Sequence, residues 1–194
     1  MNAAFLKEKH EAGLSYEAYL ATDPAKAEAW RAIEARARLT DEQRALVEGF
    51  TRAMPVIFLS GIWCGDCAQQ GPLLHAIAQA NPRNPRNPGN IDLRFLDRDE
   101  HADLQEAVAI NAGHRVPMVL FMAEDFELVS IMGDRSLTRY RALAARKLGA
   151  ACPLPGAPVG DDEIAGTLQD WLDEFERVHL LLRLSARLRE AHAD

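Results

Sequence analysis

The sequence predicts an α/β fold with one mixed four-stranded sheet. Short runs of β-branched and aromatic residues alternate with segments whose apolar residues recur at helical spacing. The first two predicted strands are joined by a helix and are expected to be parallel, whereas a short polar link joins the last two in a hairpin. The predicted order within residues 55–150 is therefore β-α-β-α-β-β-α.

Residues 1–54 are predicted to form helices that pack on this domain. Capping residues begin three of them: Ser15, Asp23 followed by Pro24, and the capping box Thr40–Gln43. Their apolar stripes are modest, which favours packing against the neighbouring domain. The aromatic residues of this segment are expected in the core, the alternative being a recognition surface: Tyr16, Tyr19 and Trp30.

The first strand, Val56–Ser60, leads into the sequence Trp63-Cys64-Gly65-Asp66-Cys67. Apolar residues follow at helical spacing, so a helix is expected to begin at or just before Cys67 and to continue to about residue 80. Pro72 falls inside this helix and should kink it. Cys64 is then expected at the helix N-terminus.

Three strands and two helices complete the predicted domain. The proline-rich stretch 81–90 is incompatible with helix and sheet and is expected to be an exposed loop. One helix is predicted between Asp99 as its cap and Gly113 as its stop signal, and another begins after Ser136. The strands are Ile91–Asp97, Val116–Met122 and Leu128–Met132.

Residues 151–194 are predicted to form a proline-rich linker, which holds Cys152, and a long C-terminal helix. Asp161–Glu163 opens the helix, and Leu180–Leu184 is apolar over more than one face. A helix of this kind is expected to contact two surfaces, which makes a homodimer through it an open alternative.

Charge and composition narrow the classes of function. The 194 residues carry a net charge of −7, which argues against an extended nucleic-acid-binding surface. No apolar stretch approaches the roughly 20 residues of a membrane span, so no membrane-spanning helix is expected. The N-terminal residues show no continuous apolar segment after a basic end, so a secretory signal is not expected either. Three cysteines in a chain of this length do not form a framework of structural disulfide bonds, so a cytoplasmic location is the default expectation.

The spacing of Cys64 and Cys67 carries the chemistry. Free backbone N–H groups and the positive end of the helix dipole favour a thiolate at Cys64, and Cys67 is near enough to attack a mixed disulfide formed there. This predicts a dithiol–disulfide exchanger that needs no metal and no cofactor beyond its own disulfide. The alternatives are a structural pair, or half of a zinc site completed by Cys152, His75 and His114.

Four features of the central segment stand at specific spacings. A Trp-Cys-x-x-Cys lies between strand and helix, Pro72 follows the second cysteine by five residues, Val116-Pro117 opens the third strand, and Gly133 follows the last strand. In these features the sequence resembles the thioredoxin-like superfamily over about residues 56–148. The resemblance implies a thioredoxin-like fold, here with helical N-terminal and C-terminal extensions.

The resemblance also implies roles for the motif residues. Cys64 would be the nucleophile and Cys67 the resolving thiol, while Trp63 would shield the sulfurs and form part of the docking face. Pro117, as a cis-proline, would leave the backbone of Val116 free to bind an extended substrate. The implied protein is a thiol–disulfide oxidoreductase, a cytoplasmic reductant of protein or small-molecule disulfides served by an unidentified electron donor.

The sequence departs from this family at a buried acid–base pair. The family's aspartate, six residues before the first cysteine, falls at Phe58, and its partner lysine falls at about Phe95. The pair that assists proton transfer from the resolving thiol is therefore expected to be missing. This departure favours the alternative function, an adaptor or binding module without redox turnover.

Two charged residues are candidates for tuning the thiols. Gly65 and Asp66 lie between the cysteines, and a carboxylate within reach of a sulfur raises the thiol pKa, which favours a reducing couple. Arg115 would act in the opposite direction if it pointed at Cys64. Exposure to solvent would leave either charge with little effect.

Overall fold

The computed structural model describes residues 1–81, 91–148 and 162–194. The strands are β1 (Met54–Ser60), β2 (Ile91–Asp97), β3 (Met118–Met122) and β4 (Leu128–Gly133). The helices of these residues are α1 (Ala3–Ala12), α2 (Tyr16–Leu20), α3 (Pro24–Glu34), α4 (Asp41–Glu48), α5 (Gly65–Gln79), α6 (Ala102–Ala107), α7 (Leu137–Leu148), α8 (Glu163–Leu184) and α9 (Ala186–His192). Within them, no helix is long and apolar enough to cross a membrane.

The four strands form one sheet in the order β2-β1-β3-β4. β1 and β2 are parallel, while β3 is antiparallel to both of its neighbours. β1 is therefore central, and all seven of its residues are buried. This arrangement confirms the predicted mixed α/β sheet and its order of elements.

The helical N-terminal extension begins its helices where the sequence predicts. Ser15, Asp23 and Thr40 each accept a hydrogen bond from the backbone N–H three residues further on. The capping box of α4 is complete, because the Gln43 side chain bonds back to the cap. These bonds satisfy N–H groups that the first helical turn leaves without a partner.

The aromatic residues of this extension lie in the core, as expected. Tyr16, Tyr19 and Trp30 are at most 3% exposed and belong to the main hydrophobic cluster. The Trp30 ring lies so close to α5 that a Cβ on Gly71 would be 2.3 Å from its Cζ3 atom. The N-terminal helices thus pack directly on the helix that carries the cysteines.

The helix after β2 begins later than predicted. Its N-cap is His101, not Asp99, and the last helical residue is Ala107. The backbone N–H of Asp99 instead binds the carboxylate of Asp97 at 2.8 Å, which holds the chain in a turn before the helix. Gly113 belongs to a turn closed by backbone bonds with Ile110, beyond the end of the helix.

Residues 162–194 of the C-terminal extension form two helices where the sequence predicted one. Ser185 interrupts the helix between α8 and α9, and its hydroxyl caps α9. Leu180, Leu181 and Leu184 are exposed on α8, and a homodimer through this helix stays a prediction. Apart from Asn81, the predicted loop 81–90 lies outside the described residues, as does the linker with Cys152.

Candidate active site

The first cysteine lies at the junction of β1 and α5. Cys64 is the N-cap of α5, with φ −82° and ψ 121°, and its Sγ atom accepts a hydrogen bond of 3.4 Å from the Cys67 backbone N–H. Cys64 is partly exposed, Cys67 is fully buried, and both are free thiols. The sulfur of Cys64 therefore occupies the position in which an N-cap side chain normally places an oxygen.

This position makes the two thiols electrostatically different. The Cys67 side chain, as a hydrogen-bond partner, contributes most to lowering the pKa of Cys64 to about 6, against the opposing effect of burial. The backbone N–H groups of Cys67 and Asp66 lower it further. Burial, in contrast, is the main cause that raises the pKa of Cys67 well above its usual range, and the neighbouring Cys64 adds a smaller increase.

The residues before β3 face the first cysteine. The Val116–Pro117 peptide bond is cis, and the carbonyl oxygen of Val116 lies 3.8 Å from Cys64 Sγ, which donates to it. Both residues are buried. The structure therefore brings together Cys64, Val116 and Pro117, three residues singled out from the sequence.

Asp66 does not present a free carboxylate to the thiols. It accepts hydrogen bonds from Arg135 and from Arg139, the latter at 2.8 Å. Burial tends to raise the pKa of Asp66, but these two guanidinium groups outweigh it and hold the pKa below its usual range. The Asp66 charge still acts to raise the pKa of Cys64, but it is the smallest of the five named influences on that thiol.

Arg115 points to an acidic partner instead of the cysteines. Its guanidinium lies 3.2 Å from the carboxylate of Asp134, a residue that also binds Arg135 and accepts a hydrogen bond from the Tyr140 hydroxyl. The side chain of Arg115 is 41% exposed. Its charge is therefore shared with Asp134 at the rim of the site.

Trp63 and Gly65 form the exposed part of the motif. Trp63 is 53% exposed, and the Arg98 guanidinium lies over its ring, 5.9 Å from the centroid. Gly65, the first residue of α5, has open space where a Cβ would point. A docking role for Trp63 stays a prediction, and the exposed ring is compatible with it.

The positions of the family's acid–base pair are filled by two phenyl rings. Phe58 and Phe95 stand opposite each other in the register of β1 and β2, both fully buried, with ring centroids 5.2 Å apart. The two positions that the sequence spacing indicates therefore lie next to each other, and an aromatic contact takes the place of an ion pair.

The histidines named for a zinc site have other partners. His75 stacks on Tyr16, and together with Glu17 and Glu34 it forms the one group of metal-ligating side chains found within the described residues. Arg31 already binds both of these carboxylates. His114 hydrogen-bonds Glu106 at 2.6 Å.

Sequence reasoning missed four residues around the motif. Arg135, just before α7, and Arg139, in its first turn, bind Asp66. The Ser60 hydroxyl accepts a hydrogen bond from Tyr19 and lowers the pKa of Cys67. Arg135 precedes α7, so its four-residue spacing to Arg139 is not that of one helix face and gave no signal. No local pattern links Tyr19 to the motif, because their contact crosses 41 residues from Tyr19 to Ser60.

The strand order of this sheet, with the two cysteines after β1 and the cis-proline before β3, defines a thioredoxin fold. The chain belongs to the thioredoxin family, whose pattern matches residues 13–145. The matched region begins before α2, so helices of the N-terminal extension lie inside it.

Solved structures share the fold at low sequence identity. A protein of unknown function from Pseudomonas aeruginosa is 15% identical with a TM-score of 0.65, over 87% of this chain and 92% of its own. An HIV epitope scaffold is 17% identical with a TM-score of 0.60, over 93% of this chain and 98% of its own. No curated protein matches the chain.

Proposed function

We propose that the protein is a thiol–disulfide oxidoreductase that reduces disulfides of proteins or small thiols through Cys64 and Cys67. The observation that carries the proposal is the contrast between the sulfurs: Cys64 is partly exposed with a pKa lowered to about 6, whereas Cys67 is buried with a raised pKa. At neutral pH Cys64 is therefore mostly thiolate, the form that attacks disulfides. Cys67, out of contact with solvent, serves the intramolecular step.

The reaction has two exchange steps. The Cys64 thiolate attacks one sulfur of a substrate R–S–S–R′, a bond forms between them, and R′ leaves as a thiolate. Cys67 then loses its proton and attacks Cys64 Sγ, which releases R as a thiolate and forms the Cys64–Cys67 disulfide. Two electrons pass to the substrate, and an external electron donor reduces the protein again.

The proposal includes the direction of exchange. Thioredoxin, a reductant, has a nucleophile pKa of about 7, whereas a strongly oxidising dithiol protein has one of about 3.5. The pKa of about 6 for Cys64 is nearer to that of the reductant. A reducing role suits the cytoplasm, and three cysteines in 194 residues are more typical of a reducing compartment than of a disulfide-stapled protein.

A second candidate is an adaptor or binding module whose cysteines do not turn over. One observation favours it: Phe58 and Phe95 fill the positions of the family's acid–base pair. A protein that had lost turnover would have no need of a proton acceptor beside its resolving thiol.

A trapping experiment separates the two candidates. In a Cys152→Ser background, Cys67→Ser keeps the nucleophile but removes the resolving thiol, so it should accumulate mixed disulfides with substrates. The matched control is Cys64→Ser, which keeps the buried thiol and should accumulate none. If Cys67→Ser forms no adducts while its Cys64 still reacts with an alkylating agent, the oxidoreductase is contradicted.

The reduction potential tests the direction. It is measured by equilibrating the protein in defined thiol buffers and reading the disulfide from the intact mass. A potential near about −270 mV is expected for a reductant, and one near about −120 mV would indicate an oxidant. If no intramolecular disulfide forms, the adaptor replaces the enzyme.

A further inference from the structure

Three side chains that are able to bind a metal ion converge where the N-terminal extension packs on α5. Glu17 lies on α2, Glu34 is the last residue of α3, and His75 lies on α5. One carboxylate oxygen of each glutamate and one ring nitrogen of His75 all lie within 4.8 Å of one another. Imidazole nitrogen and carboxylate oxygen are both common zinc ligands, and three protein ligands suffice for a site that keeps a water molecule in the fourth position.

His75 is suited to bind a metal ion because its ring nitrogens are not engaged elsewhere. Within residues 1–81, 91–148 and 162–194 they have no hydrogen-bond partner. Burial is the main cause that lowers the pKa of His75, so the ring is mostly neutral at neutral pH, the form that binds metals. The ring stacks on that of Tyr16 with centroids 4.1 Å apart, which fixes its orientation.

A buried hydroxyl without a partner lies beside these side chains. Tyr16 is 3% exposed, and its hydroxyl oxygen is buried with no hydrogen-bond partner in the described part of the chain. The hydroxyl lies near Glu34, whose charge is, after burial, the largest influence that raises the pKa of Tyr16. A buried hydroxyl that stays unpaired costs free energy, and a water molecule bound to a metal ion among these carboxylates would pair with it.

The three ligand atoms need only small movements to enclose an ion. In a tetrahedral zinc site they lie about 3.3 Å from one another, because each is about 2.0–2.1 Å from the metal. Side-chain rotation is enough to close separations of at most 4.8 Å, since Glu17 is exposed and Glu34 is partly exposed. A cavity of about 270 Å³, lined in part by Tyr16, Glu17 and His75, gives an ion and its water access to them.

Arg31 supplies the positive charge that joins the two carboxylates. Its guanidinium donates to Glu17 at 3.0 Å and to Glu34 at 2.8 Å. The side chain of Arg31 is 46% exposed and that of Glu17 is 64% exposed, so their ion pair contributes little to stability. A divalent ion carries twice the charge of Arg31 and also binds the lone pair of His75, so it displaces the guanidinium into solvent.

We infer that Glu17, Glu34 and His75 form a binding site for one divalent transition-metal ion such as Zn²⁺. The hydroxyl of Tyr16 is then the hydrogen-bond partner of a water molecule on the ion. Because its ligands come from three helices, the ion clamps α2 and α3 of the N-terminal extension onto the helix that carries the cysteines. No step of the thiol–disulfide exchange uses the ion, so the site is independent of the proposed function.

Isothermal titration calorimetry with Zn²⁺ tests the site in the full chain. Because thiolates also bind zinc, the protein carries Cys64→Ser and Cys152→Ser, which leave only the buried Cys67, and serine still caps α5. One Zn²⁺ per chain is expected, with micromolar or tighter affinity. Saturating Zn²⁺ should raise the melting temperature, because the three ligands meet only in the folded state. Co²⁺ in its place should show no ultraviolet charge-transfer band of a thiolate ligand.

Three substitutions identify the ligands and the competing cation. His75→Ala and Glu34→Gln should each weaken binding by at least about 100-fold, since the loss of even an outer partner of a metal site costs about 10–100-fold. Arg31→Met removes the competing cation and should tighten binding by about threefold to tenfold, whereas a merely destabilised helix would bind more weakly. The matched control is His114→Ala, which removes an exposed histidine bonded to Glu106 and should change nothing.

Four results would overturn the metal site. Zn²⁺ could bind only at millimolar concentrations or not at all, or it could bind His75→Ala and Glu34→Gln as tightly as the protein with both ligands. A thiolate band with Co²⁺ would place the ion at Cys67, and weaker binding by Arg31→Met would mean that Arg31 holds the ligands together and does not compete with the ion. Each of these results leaves the oxidoreductase untouched, because Cys64 is replaced in this protein.

Discussion

Arg139, near the start of α7, donates a hydrogen bond of 2.8 Å to the carboxylate of Asp66, in the first turn of α5. Arg135 binds the other carboxylate oxygen. The acidic residue between the two cysteines is thus held by two cations from a segment about 70 residues further along the chain. The two guanidinium groups therefore offset most of the effect that the Asp66 charge would have on the thiols.

This pairing changes what the removal of Asp66 should do. Asp66→Asn removes a charge that raises the pKa of Cys64, so the pKa should fall below about 6. The fall should be less than about one unit, because a paired charge acts weakly at a distance. The ultraviolet absorbance of the thiolate, followed against pH, measures it. The control Asp41→Asn, in the first turn of α4, should have no effect. A fall of more than about one unit in the Asp66→Asn protein would contradict the pairing, and a rise would contradict the direction of the Asp66 effect.

The pH dependence of alkylation tests the asymmetry of the two sulfurs. The thiolate is the reactive form, so the reaction of Cys64 with iodoacetamide should rise with pH and reach half of its maximum near pH 6. Below that pH the thiol is protonated and the rate should fall.

The same measurement identifies the source of the low pKa. The Cys67 side chain contributes most to it, so Cys67→Ala should move the midpoint to higher pH. A midpoint that stays in place would show that backbone N–H groups alone set the pKa. Both proteins carry Cys152→Ser, so that the measured rate belongs to Cys64.

Local patterns predict the sheet and the position of Cys64 for a physical reason. Caps such as Thr40, the glycine and proline signals, and the apolar strands act over a few residues, and each is visible in the sequence. The position of Cys64 at the start of α5 follows from the same rules. The start of α6 differs because the Asp97 carboxylate accepts a hydrogen bond from the N–H of Asp99, a competition between two nearby acidic residues that pattern alone does not resolve.

The surroundings of the cysteine motif depend on contacts between distant segments. Tyr19 meets Ser60 because α2 packs on β2, the strand beside β1, and Arg139 meets Asp66 because α7 returns to the N-terminus of α5. Neither contact leaves a periodic trace in the sequence. The family resemblance predicts where a buried carboxylate is lost, at Phe58, but not which groups stand near the resolving thiol instead.

Restoring the family's carboxylate at Phe58 should harm the protein. Phe58→Asp removes the ring contact with Phe95 and buries a carboxyl group with no lysine opposite, so it should lower the free energy of unfolding by at least about 4 kcal/mol. Phe58→Leu, the matched control, should cost less than about 2 kcal/mol. Denaturant titration measures both.

The cost of Phe58→Asp should also depend on pH. Burial raises the pKa of a carboxyl group above its unfolded value, so the folded state holds its proton more tightly than the unfolded chain. The variant should therefore be most stable at low pH, relative to the unsubstituted protein, and should lose stability as the pH rises from the unfolded pKa to the folded one. Equal costs at acid and neutral pH would mean that the carboxyl group is solvated, and that β1 and β2 have moved apart.

Two glycines of α5 distinguish the packing of the N-terminal extension from ordinary helix propensity. Alanine normally stabilises a helix interior by about 1 kcal/mol relative to glycine. At Gly71 the added Cβ would be 2.3 Å from the buried ring of Trp30, which is held by its hydrogen bond to the Ile62 carbonyl. Gly71→Ala should therefore destabilise the protein by about 1–3 kcal/mol, as overpacking does.

Gly65→Ala is the control for this change, because open space surrounds the Cβ position at the start of the same helix. Its free energy of unfolding should stay the same or rise by at most about 1 kcal/mol. If Gly71→Ala were as stable as Gly65→Ala, α3 could not lie against α5 as described. Trp30 would then have no fixed place beside the helix that carries the cysteines.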